Sequence, residues 1–207
     1  TWQRTAILSL FLFTAGLGQA IAAHQQQGWP RFWSRWARVA GCALLVSAGS
    51  YLMFPQTWIY FGVLHGMAVM LVLVRLTAGW RRWLWLSGGL AIAIGLIAQY
   101  GLYTWANAEY LNSRSMNWLG LITHKPRTED YVPLLPWLGV MWWGMAAGQW
   151  LLLHRPAWLS GSNLPAGALA QTVVRGLALP GRWSLSYYML HQPVMIGVLM
   201  AVSWAGR

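Results

Sequence analysis

Apolar residues run through this chain in long continuous stretches, without the period-two alternation of a membrane barrel strand. Six stretches are long enough to cross a hydrocarbon core of about 30 Å, a distance that takes about 20 helical residues. They run approximately over Thr5–Ala23, Ala37–Phe54, Trp58–Leu76, Trp83–Tyr103, Leu134–Leu153 and Trp183–Trp204. The pattern predicts an all-α fold, a polytopic integral membrane bundle of six transmembrane helices. No repeat, low-complexity tract or linker divides the chain, so residues 1–207 read as a single transmembrane domain.

The polar segments between these stretches set an orientation. Arg31, Arg35 and Arg38 follow the first stretch; Arg75, Arg81 and Arg82 follow the third; Arg155, Arg175 and Arg182 follow the fifth. These segments alternate with the uncharged turn Pro55–Thr57 and with Thr104–Pro133, which holds every carboxylate and offsets them with Arg114, Lys125 and Arg127. By the positive-inside rule the arginine set faces the cytoplasm, and Thr1, Thr104–Pro133 and Arg207 face the other side. Both ends then lie outside, which one further helix upstream of Thr1 would correct.

Composition agrees with this reading. Hydrophobic residues make up 57% and charged residues 8%, against about 25% charged in a soluble domain. Fourteen Lys+Arg stand against three acidic residues, a net charge of +11, and all but Lys125 are Arg. They lie between apolar stretches and not over a soluble face, so nucleic acid is not the expected partner. Anionic headgroups or phosphates suit them better. Many of the seventeen Trp flank the stretches as interfacial anchors do. Cys42 stands alone, so no intrachain disulfide forms.

Ionisable residues within a bilayer cost a few kcal/mol each and default to functional candidates. His65 falls about 10 Å below the outer face by helical rise. His191 falls nearer the midplane, where Pro193 frees the Met189 carbonyl beside His191 and Gln192. Two neutral histidines satisfied by neighbouring helices would look the same. Ligation of a haem or chlorophyll is disfavoured, since the two depths differ and there is no second pair. The stretch Thr128-Glu129-Asp130-Tyr131-Val132-Pro133-Leu134-Leu135-Pro136-Trp137-Leu138-Gly139 places adjacent carboxylates before the fifth helix. There they complement its dipole, and they could also hold a hydroxyl or amino group. Gly139, Gly144 and Gly148 suit close helix packing. His24, His124 and His154 sit at or beyond helix ends. No metal-ligand spacing, phosphate loop or dinucleotide fingerprint is present, and no metal is expected.

Three segments in order resemble the bacterial membrane proteins related to heparan-alpha-glucosaminide N-acetyltransferase. They are Leu10-Phe11-Leu12-Phe13-Thr14-Ala15-Gly16-Leu17-Gly18 with its Arg-rich turn, Tyr60-Phe61-Gly62-Val63-Leu64-His65-Gly66-Met67-Ala68, and Asp130-Tyr131-Val132-Pro133-Leu134-Leu135-Pro136-Trp137. The segment from Gly181 to Pro193 is also similar to that family. The resemblance implies a transmembrane acyltransferase of the bacterial inner membrane, with acetyl-CoA or another acyl-CoA bound from the cytoplasm and a sugar-type or other acceptor on the periplasmic face. It implies catalytic roles for His65, Asp130 and His191, and acceptor contacts at Glu129, Tyr131 and Gln192. Arg38 and Arg182, each expected just before a helix, are the candidates for the phosphates of the coenzyme. The family opens with another helix that carries its main catalytic His, and Thr1 begins about where its second helix begins. The alternative reading is a noncatalytic membrane subunit within a larger complex. Transport has less support, since no inverted repeat is seen. Besides the lipid bilayer, a homo-oligomer or larger membrane complex is the expected partner.

Overall fold

The computed structural model describes residues 2–101 and 108–156, with six isolated residues beyond them. The chain divides into the compact units Thr1–Leu159 and Ser160–Arg207, and the elements below belong to the first. They are five α-helices: α1 (Trp2–His24), α2 (Trp29–Met53), α3 (Val63–Leu76), α4 (Trp83–Gly101) and α5 (Trp137–His154). No strand occurs among the described residues, so the fold there is all-helical.

The helices do not all match their apolar stretches. α2 begins at Trp29, eight residues before the apolar stretch, because Gly28 supplies an extended N-cap and Pro30 falls in the first turn, where its missing N–H costs nothing. Arg38, expected just before this helix, therefore lies inside it. It is exposed, and its Nε reaches only the Ser34 carbonyl one turn back, at 3.4 Å. α3 is shorter than the stretch Trp58–Leu76, because the chain stays non-helical from Trp58 to Gly62. That segment finds partners outside any helix. The Ile59 amide donates to Ser50 Oγ at 3.0 Å, the Ile59 carbonyl accepts from Ser47 Oγ at 2.6 Å, and the Trp58 carbonyl accepts from Thr128 Oγ1 at 2.9 Å.

α1 and α2 are each long and apolar enough to cross a membrane. α3, α4 and α5 have 14, 19 and 18 residues. The sixth stretch lies outside the described residues but for four isolated positions. Only 6% of the most apolar window of α2 is buried, and Leu44, Leu45 and Leu52 stand exposed along it. Among the described residues nothing covers this face.

Close approaches define the packing. A Cβ on Gly16 of α1 would strike the Met141 carbonyl of α5, and one on Gly144 would strike the Phe13 carbonyl. Gly139 and Gly88 do the same for α5 and α4. The glycines of the fifth stretch thus let backbones touch, as the sequence suggested. Contacts of Phe13 with Gly144 and of Leu17 with Gly148 run α1 parallel to α5. Gly95 against Pro136 and Gly88 against Gly139 make α4 antiparallel to α5. Trp36 Nε1 bonds the Ala68 carbonyl and Ser47 bonds His65, so α2 is antiparallel to α3. Leu12, Met70, Val74, Leu84, Met141 and Met145 fill the interior.

This alternation sorts charge between the two ends. Arg35, Arg75, Arg81, Arg82 and Arg155 fall at the end where α1, α3 and α5 finish. Glu129 and Asp130 fall where those helices start, with Arg4, Arg114, Lys125 and Arg127.

Candidate functional site

At the acidic end, the segment from residue 113 to 136 folds back over the starts of α1, α3 and α5. Leu134 and Leu135 amides donate to the Trp118 and Leu119 carbonyls at 2.8 and 2.9 Å. Gly120, at φ 94°, makes the turn between them in a backbone region open to glycine. The Glu129 amide donates to the Thr57 carbonyl at 3.1 Å, and Thr57 Oγ1 donates to Glu129 Oε1 at 2.8 Å. Glu129 thereby fastens the loop through one of its two oxygens.

Asp130 was expected to complement the dipole of α5; it caps α3 instead. Its Oδ2 accepts from the Val63 amide at 2.8 Å, while Oδ1 accepts from Arg4 Nη2 at 3.1 Å. The physical reason lies in the path of the loop. The segment 128–132 pairs beside 57–61, so the carboxylate meets the open amides of α3, whereas α5 starts at Pro136 with no side-chain cap. The ion pair is half exposed, the Arg4 and Asp130 side chains being 50% and 25% accessible. Arg4 Nη2 also reaches the Tyr131 carbonyl at 3.3 Å.

His65 sits in the same first turn of α3. The Gly62 amide donates to its Nδ1 at 3.4 Å, and its Nε2 lies 3.1 Å from Ser47 Oγ. A backbone amide can only donate, so Nδ1 accepts and the proton is on Nε2. Nε2–H then donates to Ser47 Oγ, whose own proton goes to the Ile59 carbonyl at 2.6 Å. Both ring nitrogens of His65 are engaged within the chain.

Tyr131 is buried, and its hydroxyl donates to the Asn117 carbonyl at 2.5 Å. Burial, then the neighbouring Tyr60, push this phenol well above its ordinary range. Asn117 Nδ2 donates to Tyr60 at 2.5 Å, while its buried Oδ1 has no partner.

Beside these residues opens a cavity of about 430 Å³ lined by Arg4, Gln99, Thr123, Lys125, Tyr131 and Trp137, among others. Arg4 escaped sequence reasoning. It is the single charge at the head of the first apolar stretch, on the side already assigned to the carboxylates, and that juxtaposition was the available signal. Ser47 gave none, since a serine in an apolar helix is common and only the fold pairs it with His65.

Two arginine-lined cavities open at the opposite end. Arg75 bonds the Gln27 carbonyl and lies 5.7 Å over the Trp29 ring; with Arg35 it lines a space of about 60 Å³. Arg81, Arg82, Trp80, Trp83, Gln149 and Trp150 line one of about 550 Å³. Of the expected coenzyme contacts, Arg38 lines neither. His191, Gln192, Pro193 and Arg182 lie outside the described residues. Among the described residues no three His, Cys, Asp or Glu come together as a metal site.

The model of one family, described as heparan-alpha-glucosaminide N-acetyltransferase, catalytic, matches residues 1–193. It is the family whose motifs the sequence carries. No curated protein and no solved structure matches the chain.

Proposed function

The chain belongs to the heparan-alpha-glucosaminide N-acetyltransferase catalytic family, and on that basis we propose that it is a multi-pass acyltransferase of the inner membrane. It moves an acetyl or other acyl group from acyl-CoA at its arginine-rich end to an acceptor at its Asp130 end. The family match over residues 1–193 is the observation that carries this reading. The arginines gathered at the end opposite Asp130 support it physically, since a thioester donor with several phosphates calls for cationic surroundings.

At the donor end, the cavity lined by Arg81, Arg82 and four tryptophans suits a diphosphate and an adenine ring. The space at Arg35 and Arg75 is too small for either. At the acceptor end this reading assigns the incoming amine or hydroxyl to Asp130, in exchange for one of its present bonds to Arg4 and the Val63 amide. The acceptor heteroatom attacks the thioester carbonyl, the C–S bond breaks, a C–N or C–O bond forms, and the coenzyme leaves as its thiol with the acceptor's proton. His65, bonded at rest to the Gly62 amide and Ser47, is read here as positioning the start of α3. The same observation favours the second reading, a noncatalytic membrane subunit.

The test is single. Vesicles carrying the full chain are given acetyl-CoA outside and glucosamine inside, or the reverse. Release of free coenzyme A that depends on the acceptor supports the enzyme. No release in either orientation, from protein that retains its helical content, leaves the subunit reading.

A further inference from the structure

We propose that the arginine end binds an anionic glycerophospholipid of the cytoplasmic leaflet, its phosphate on Arg81 and Arg82 and an acyl chain between α4 and α5. Two spaces adjoin there. Arg81, Arg82, Trp83 and Gln149 stand in the wall of the cavity of about 550 Å³. Trp85, Ala147, Trp150 and Leu151 line a groove of about 470 Å³. Trp85 and Trp150 are walls of both. Each volume lies within the usual range for ligand sites, roughly 300–1,000 Å³. The first space is cationic and the second apolar, and their junction decides the occupant. In a glycerophospholipid only the glycerol separates the phosphate from the acyl chains, and interfacial tryptophans sit at that level. In coenzyme A a long polar arm stands between the phosphates and the acyl group, so its acyl chain would not fall directly beside the arginines.

The acidic side chains of the protein lie elsewhere. They are Glu109, Glu129 and Asp130. Glu129 and Asp130 are bonded at the other end. Glu109 belongs to the short turn Ala108–Asn112, which Asn112 ties to Thr123 at 2.8 Å. Among the described residues neither Arg81 nor Arg82 forms a salt bridge. The walls are held in place: Gln149 Nε2 donates to the Ala78 carbonyl at 2.7 Å, and Trp143 Nε1 to the Trp85 carbonyl at 3.0 Å. These bonds fasten α5 to the turn and to α4. Arg82 lies 5.6 Å over the Trp83 ring. Arg81 takes φ 48°, a backbone region that favours glycine, so an arginine is kept where its backbone is strained. The lipid site needs the membrane orientation and not acyl transfer. On the acyltransferase reading above, the coenzyme would use the same two arginines, and lipid and donor would exclude one another.

The experiment places the full chain in vesicles of equimolar dioleoylphosphatidylglycerol and dioleoylphosphatidylcholine. It is then extracted in mild detergent, and its bound lipids are counted by native mass spectrometry. Retained phosphatidylglycerol should exceed phosphatidylcholine by at least about tenfold, the scale of one charge-assisted contact. Arg81→Gln with Arg82→Gln should bring that ratio toward one. Arg31→Gln with Arg35→Gln removes the same charge from the same end and should keep it. Ala147→Trp fills the groove, spares both arginines and should lower phosphatidylglycerol retention. Equal retention of the two lipids, an equal effect of both arginine pairs, or no effect of Ala147→Trp overturns the proposal. Displacement of the lipid by glycerol 3-phosphate, which carries the phosphate without chains, overturns it as well. Retention that excess coenzyme A fails to displace keeps the lipid site and removes the donor from this cavity.

Discussion

Asp130 and His65 accept hydrogen bonds from consecutive backbone amides, Val63 and Gly62, at the opening turn of α3. No hydrogen bond joins the two side chains directly. They are coupled through the helix end they share, and through it to Arg4 on one side and Ser47 on the other. The geometry of these side chains thus depends on how firmly α3 begins.

Asp130→Asn should lower acyl transfer by at least about tenfold, the lower range for one oriented catalytic contact. It should also destabilise the chain by about 0.5–2 kcal/mol through the weakened cap. Arg4→Gln removes the same half-exposed ion pair but leaves the cap, and should cost no more than about 1 kcal/mol. Thermal unfolding in detergent compares them. Equal losses would remove the cap from the account.

Ser47→Ala leaves the Nε2 proton of His65 without its acceptor inside the bundle. The expected cost is about 1–3 kcal/mol, the penalty for an unsatisfied buried donor. An unfolding midpoint unchanged from the parent would mean that the ring has another acceptor.

The α1–α5 contact gives a paired comparison. In Gly16→Ala the new methyl meets the backbone of Met141 and Met145, which a side-chain shift cannot relieve. Overpacking of this kind costs about 1–3 kcal/mol or more. Gly18→Ala, two residues on, has nothing within 4 Å of the new atom and should stabilise the helix by up to about 1 kcal/mol. Similar midpoints for both would contradict the close approach of these helices.

Tyr131 supplies a pH dependence. Its folded pKa lies above the ordinary value of 10.0, so the unfolded chain releases this proton first. Stability from this group is full below about pH 10 and falls as pH rises beyond it. Tyr131→Phe should lose about 1 kcal/mol at neutral pH, the hydrogen bond to the Asn117 carbonyl. It should also show a shallower fall in alkaline unfolding; an identical alkaline slope would remove Tyr131 as its cause.

Orientation is open to direct labelling. In a Cys42→Ala background, a cysteine at Ser115 should react with an impermeant reagent from the periplasmic side, and one at Ser34 should not. Both positions are exposed, at opposite ends of the bundle. The reverse pattern would exchange the donor and acceptor faces.

Apolar run length and the parity of charged loops were enough to read an all-helical chain and to separate its arginine-rich end from its carboxylates. Both properties are summed along the chain, so neither needs knowledge of what packs against what. The spacing of Gly139, Gly144 and Gly148 likewise announced close helix contacts. Motif order announced the family, because Asp130 through Trp137 is distinctive as a string.

Tertiary structure decided the rest. Whether Asp130 caps α5, which follows it, or α3, which lies 67 residues before it, turns on the path of a loop held by bonds to Thr57 and Trp58. Arg4 reaches the site across 126 residues, a distance over which no local pattern carries information. His65 stood out in sequence as an ionisable group in an apolar stretch. Only the fold supplies Ser47 and the Gly62 amide as partners for its two ring nitrogens. Run length and charge parity are local sums; hydrogen-bond satisfaction depends on neighbours that only folding brings within 3 Å or so.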